Sequence, residues 1–134
     1  MAGPSLSPRS FLLALGLALA GTVPVRADPS LECPAGSQVE IGQCLARTEA
    51  AVDRALATAL GLARQPAAEV DRTTGRPVTV PALDQAQAAW TAWRDAQCDY
   101  VGATYGGGSG TGQAIRGCRI ELGRARIDQL LRML

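Results

Sequence analysis

The sequence predicts an all-α domain, a small up-down-up three-helix bundle tied by two disulfides. Three observations carry that expectation. Apolar residues recur at three- and four-residue steps through most of the chain after residue 37, which is the helical period. The only run with strand propensity, Val78-Thr79-Val80, is three residues long and has no second run to pair with. Four cysteines, Cys33, Cys44, Cys98 and Cys118, fall in a chain of 134 residues, an even number in a length that makes one domain.

Residues 1–27 have the layout of an export signal. Arg9 supplies a positive start, Phe11 to Ala20 is an apolar run, and Val25-Arg26-Ala27 reads as a cleavage site, with cutting expected after Ala27. The apolar run is about half of the roughly 20 residues a bilayer span needs. Of the 13 basic residues, Arg9 and Arg26 lie in this leader, which leaves 11 against 12 acidic ones, a net charge of −1 for residues 28–134. So small a charge offers no electrostatic route to nucleic acid or to an anionic membrane. All four cysteines follow the leader, and disulfides are the expected state of an exported chain. Wide spacings without C-x-x-C, and the absence of histidine, exclude a zinc site; neither a metal nor a cofactor is expected.

Residues 28–36 form a short arm punctuated by Pro and Gly and carrying Cys33. Ser37 followed by Glu40 is a capping box, so the first helix starts there. Ile41, Leu45, Thr48, Val52, Ala55, Ala59 and Leu62 trace its apolar side, and Pro66 is expected to end it. Residues 66–81 then read as a connector centred on Thr73-Thr74-Gly75-Arg76-Pro77. Pro81 suits the first position of the second helix, where its missing N–H costs nothing.

That helix, ending near Tyr100 or Ala103, holds the densest stretch of the chain, LDQAQAAWTAWRDAQC at 83–98. Trp90 and Trp93 are two of only five aromatic residues. Three residues apart they are expected to share one inward face, which Leu83 and Ala86 extend. A glycine-rich connector, GATYGGGSGTG at 102–112, leads into a third helix over 113–133. One side of that helix is marked by Ile115, Cys118, Leu122, Ala125 and Gln129, with Ile120, Ile127, Leu131 and Leu134 beside it. Up-down-up order brings Cys44, Cys98 and Cys118 to one end, and the arm can return Cys33 to them. Three pairings are open; those joining different elements are favoured, because a short arm-to-helix closure constrains less of the unfolded chain.

Catalytic constellations are sparse. Without histidine the commonest general base is missing. Ser109 has no base beside it, and disulfides would remove the thiols. The glycine-rich connector lacks the Gly-Lys-Ser/Thr ending of a phosphate loop and reads as a mobile linker. Glu49 with Asp53, and Asp95 with Asp99, are carboxylates one helical turn apart, the sole candidates for hydrolytic chemistry. The simpler expectation makes such residues partners for arginine, with Arg94 and Arg126 tying helices to Asp53 or Glu49.

The succession of export signal, Cys33 and Cys44, Gln87-x-x-Trp90-x-x-Trp93-Arg94-Asp95-x-x-Cys98, Gly-Gly-Gly-Ser, Cys118 and Arg126-x-x-x-Leu130 resembles the LprI-type lysozyme inhibitor family. Asp53 and Leu56 match that family's first helix, whereas Ala57 and Leu60 stand where it carries asparagine and tyrosine, and Gly123 where it carries threonine. The resemblance implies an exported, periplasmic or secreted helical binding protein whose partner is lysozyme or another peptidoglycan hydrolase. It implies no enzyme activity. Tyr105, Gly107, Ser109 and Arg116, on the glycine-rich connector and the disulfide-tied end, are the residues expected to meet that partner. The other reading is a structural or adaptor module of the cell envelope with no enzyme target.

Overall fold

The computed structural model describes residues 29–33 and 36–134; the predicted leader and its cleavage site lie outside them. Every regular element described is helical. A short helix α1 (Pro29–Glu32) leads into three long ones, α2 (Gln38–Thr74), α3 (Thr79–Ala103) and α4 (Thr111–Leu131). The start of α2 is the capping box foreseen: Ser37 Oγ accepts from the Glu40 N–H, and the Glu40 carboxylate accepts from the Ser37 N–H. That bond, followed by one from the Ser37 hydroxyl, holds the Glu40 carboxyl below its ordinary pKa.

Pro66 does not end α2. The helix continues through it to Thr74 and stops at Gly75, which takes the left-handed conformation of a C-cap (φ 65°). An internal proline removes one helical hydrogen bond and costs about 3 kcal/mol, so contacts with α3 must outweigh it. Two are evident: Arg64 reaches across to Asp84, and the Asp71 carboxylate accepts the backbone N–H groups of Val78, Thr79 and Val80. Asp71 thereby caps α3 from α2, a role that the N-cap residue Val78 has no side chain to fill. The expected 66–81 connector is reduced to a turn of four residues, 75–78, and Pro81 occupies the third position of α3. Val78-Thr79-Val80 is the rim of a helix.

The core is two clusters joined by Ile127. Cys33, Leu45, Val52 and Ile120 form one, with Ile41 and Cys44 against them. Leu56, Ala59, Ala63 and Leu130 form the other, with Leu60, Leu83 and Trp90 packed on it. The buried face of α2 passes through Leu56 and Ala63, one position beyond the expected Ala55 and Leu62, which are exposed. The deepest face of α4 is Ile120, Gly123, Arg126 and Leu130, while Gln129 and Leu131 are exposed. Close helix approach explains the rotation. A Cβ at Gly123 would lie 2.6 Å from Val52 Cγ1, and one at Gly102 would lie 2.5 Å from Ile115 Cγ1, so these glycines are where α4 meets α2 and α3.

Candidate functional site

Both disulfides lie at the end of the bundle where α2 begins, α3 ends and α4 begins. Cys98–Cys118 joins α3 to α4 across 20 residues of chain, as the preference for linking different elements expected. Cys33–Cys44 is the short arm-to-helix closure which that preference counted against. The reason is local: α1 returns the chain onto α4, where the Arg124 guanidinium donates two hydrogen bonds to the Glu32 carboxylate, and Cys33 is then buried beside Ile120 and Leu45. Hydrogen bonding from Arg124 holds the Glu32 carboxyl below its ordinary pKa, outweighing a smaller opposing effect of desolvation.

Between α3 and α4 the chain is turned residue by residue rather than loose. Backbone N–H groups of Tyr105, Gly106, Gly108 and Thr111 donate to the carbonyls of Gly102, Ala103, Tyr105 and Gly108. Gly106 and Gly107 hold φ of 64° and 81°, which only glycine adopts without strain. Helix α4 starts at Thr111, so the predicted 102–112 connector shrinks to 104–110.

Beside these turns a shallow groove of about 440 Å³ runs between the first turns of α2 and α4. Ser109 and Arg116 line it together. Tyr105 and Gly107 do not; the Tyr105 ring packs over Gly110 with 56% of the residue exposed. The groove also contains residues that sequence reasoning passed over: Gln38, Val39 and Gln43 from α2 and Gln113 from α4. Gln113 Nε2 bridges to both the backbone carbonyl and the side-chain oxygen of Gln38. Gly42 and Ala46, four residues apart and both small, were the available signal that one face of α2 is hollowed here. Polar amides, a hydroxyl and a guanidinium around exposed Val39 make a surface suited to hydrogen bonding a partner's backbone or sugar hydroxyls.

The carboxylates considered for hydrolysis are all paired. Glu49 meets Arg116 at 2.7 Å and Arg119 at 3.6 Å. Asp95 accepts from Arg94 at 3.1 Å and meets Arg119 at 3.6 Å, while Asp99 reaches Arg119 at 4.0 Å. Arg94 also ties α3 to Asp53 of α2 at 3.3 Å. Three arginines and four carboxylates therefore lace all three long helices together, and each of the four carboxylates considered faces an arginine.

Arg126 departs from its expected carboxylate pairing. It is 8% exposed, and its guanidinium donates to the amide oxygens of Gln87 and Gln129. No carboxylate pairs with it among the described residues, and desolvation lowers its pKa. The Trp90 ring supplies compensating negative potential, with the Arg94 and Arg126 guanidinium carbons 5.3 and 5.8 Å from its centre. Trp90 is half-buried against the second core cluster. Trp93 is 51% exposed, so the two indoles do not share an inward face; that face is Leu83, Gln87, Trp90, Arg94 and Cys98, and Ala86 is exposed with Trp93.

Comparison with known proteins agrees with this inventory. Over 128 residues the chain is 31% identical to an uncharacterized protein of Rhizobium meliloti (strain 1021), an alignment covering 90% of this chain and 92% of that protein. No solved structure matches it. The family model described as "Lysozyme inhibitor LprI" matches residues 32–130, from the residue that α1 offers to Arg124 to the last buried leucine of α4. With both disulfides, the Trp90–Arg94 face and the glycine turns all inside that span, the chain belongs to the LprI lysozyme inhibitor family.

Proposed function

We propose that the protein is an exported, periplasmic or secreted inhibitor of lysozyme or of a related peptidoglycan-cleaving enzyme, released by cleavage after Ala27. The observation that carries this reading is the family match across 32–130. Two disulfides fit an oxidising compartment, and no described helix is long and apolar enough to cross a membrane. The contact is assigned to the disulfide-tied end, where Ser109 and Arg116 line the groove and Tyr105 and Gly107 stand on the adjoining turns. The crosslinks support this choice, because a surface held rigid before association loses little entropy on binding. Arg116, anchored by Glu49 yet 43% exposed in its side chain, can offer its remaining donors to a carboxylate of the target. With a net charge near zero, long-range steering contributes little, and affinity must come from fit.

The test is residues 28–134, purified oxidised, mixed with lysozyme in a cell-wall lysis assay. Slowed lysis that weakens in Arg116→Ala and Tyr105→Ala is the expected result. Unchanged lysis at high micromolar excess overturns the reading for that enzyme.

A further inference from the structure

Helix α3 carries a second face that the bundle leaves bare. Ala82, Ala86, Ala89, Trp93, Ala96, Tyr100 and Ala103 follow one another at alternating steps of four and three, and every one is exposed. That alternation is the heptad seam of a coiled coil, with Ala86, Trp93 and Tyr100 at a and Ala82, Ala89, Ala96 and Ala103 at d. Trp93 is 51% exposed and Tyr100 66%, an unusual placement for half of the tyrosines and half of the tryptophans of the chain. The seam contains no charge; Arg94 is turned towards Asp53, and Cys98 towards α4.

We infer that this face pairs with the same face of a second copy, the two α3 helices antiparallel. The argument is one of size and sign. An antiparallel coiled coil sets each a residue against a d residue of its partner. Here every d is alanine, so both aromatics meet alanine in either register that fills the seam. Trp93 faces Ala96 and Tyr100 faces Ala89 of the second copy, or Trp93 faces Ala89 and Tyr100 faces Ala82. Large fills small throughout, as a well-packed interface requires. A parallel pair would oppose Trp93 to Trp93 and alanine to alanine, holding the helices apart at one layer and leaving voids at the next. Asp99, which flanks the seam, meets Gln85 or Ala92 rather than a like charge in the two antiparallel registers. The seam is about 32 Å long and a helix about 10 Å wide, so roughly 600–700 Å² is covered in total. That lies below the roughly 1,200 Å² of a standard stable interface, so the dimer is weak and forms at micromolar concentrations or above.

Sedimentation velocity of the oxidised chain from about 5 μM to about 500 μM reads this directly. The expected result is a mass rising towards twice the monomer, with Trp93→Glu returning it to the monomer at unchanged helicity and melting temperature. The orientation is read by Ala89→Leu/Ala96→Leu, which places leucine against Trp93 in both antiparallel registers and must weaken the dimer at least tenfold. A wild-type chain monomeric throughout overturns the inference, even if added lysozyme then shields Trp93. So does a dimer that survives Trp93→Glu, and strengthening by the leucine pair overturns the antiparallel arrangement.

Discussion

Glycine 123 sets the distance between the two helices that make most of the core. Its Cα faces Val52, and a methyl group there would lie 2.6 Å from Val52 Cγ1, so α2 or α4 must shift to admit it. Gly123→Ala is therefore expected to destabilise by about 1–3 kcal/mol, although alanine favours helix elsewhere. Chemical denaturation checks this, and a stabilised variant would show that the helices are not in contact at that point. The tryptophans separate in the same way. Trp90, packed against the cluster of Leu56, Ala59, Ala63 and Leu130 and flanked by two guanidinium groups, is expected to cost about 3 kcal/mol as alanine. Trp93→Ala at low protein concentration should stay within about 0.5 kcal/mol, because half of that residue is already in water. Arg126 marks what sequence could not say about a residue. Its place beside an apolar stripe was legible, but its partners, Gln87 and Gln129, are neutral amides that no charge-pairing rule would select.

Among the elements, the α2–α3 hairpin is the one the sequence misplaced, and the cause is a carboxylate. Pro66 is a strong local stop, yet Asp71, five residues later, accepts three backbone N–H groups at the start of α3 and holds the extended helix against its neighbour. Partial desolvation raises the Asp71 pKa, but the hydrogen bonds from Thr79, Val80 and Val78 outweigh it and leave it below the ordinary value. A depressed folded-state pKa means stability that is present above the unfolded value near 3.9 and lost as pH falls through the folded one. Asp71→Ala should thus melt lower than wild type at pH 7, and the gap should close below about pH 4. A gap that persists at pH 2 would assign the effect to packing instead. The capping box at Ser37 and Glu40 was read correctly because it is written within four residues; the Asp71 cap was not, because donor and acceptor belong to different helices.

On the scale of the whole molecule, a small core is held by two covalent ties at one end. Closing loops of 11 and 20 residues, the bridges contribute about 3 kcal/mol each through the unfolded chain. Reduction should lower the melting temperature by well over 10 °C, since about 1 kcal/mol moves a domain of this size by 4–8 °C. Replacing Cys98 and Cys118 together should cost more than replacing Cys33 and Cys44, because the longer closure also clamps α3 to α4. Equal losses would show that the arm matters to the bundle as much as the helix clamp does. The groove lined by Ser109 and Arg116 lies at the same end of the bundle as these ties, so reduction is also expected to weaken any inhibition before the helices melt.

What the sequence determined by itself is local or statistical: helical periodicity, the capping box, the bonding of all four cysteines, and the Trp90–Cys98 pattern that carries the family. These depend on neighbours within a few residues, or on motifs read as strings. Tertiary structure alone decided which cysteines join, how far α2 runs past Pro66, and which tryptophan is covered. Each of those turns on two segments far apart in the chain meeting at ångström range: Glu32 on Arg124, Asp71 on the start of α3, and Gly123 on Val52. Periodicity names the faces of a helix, but the rotation that chooses among them is set by the closest contact, and here that contact is a glycine.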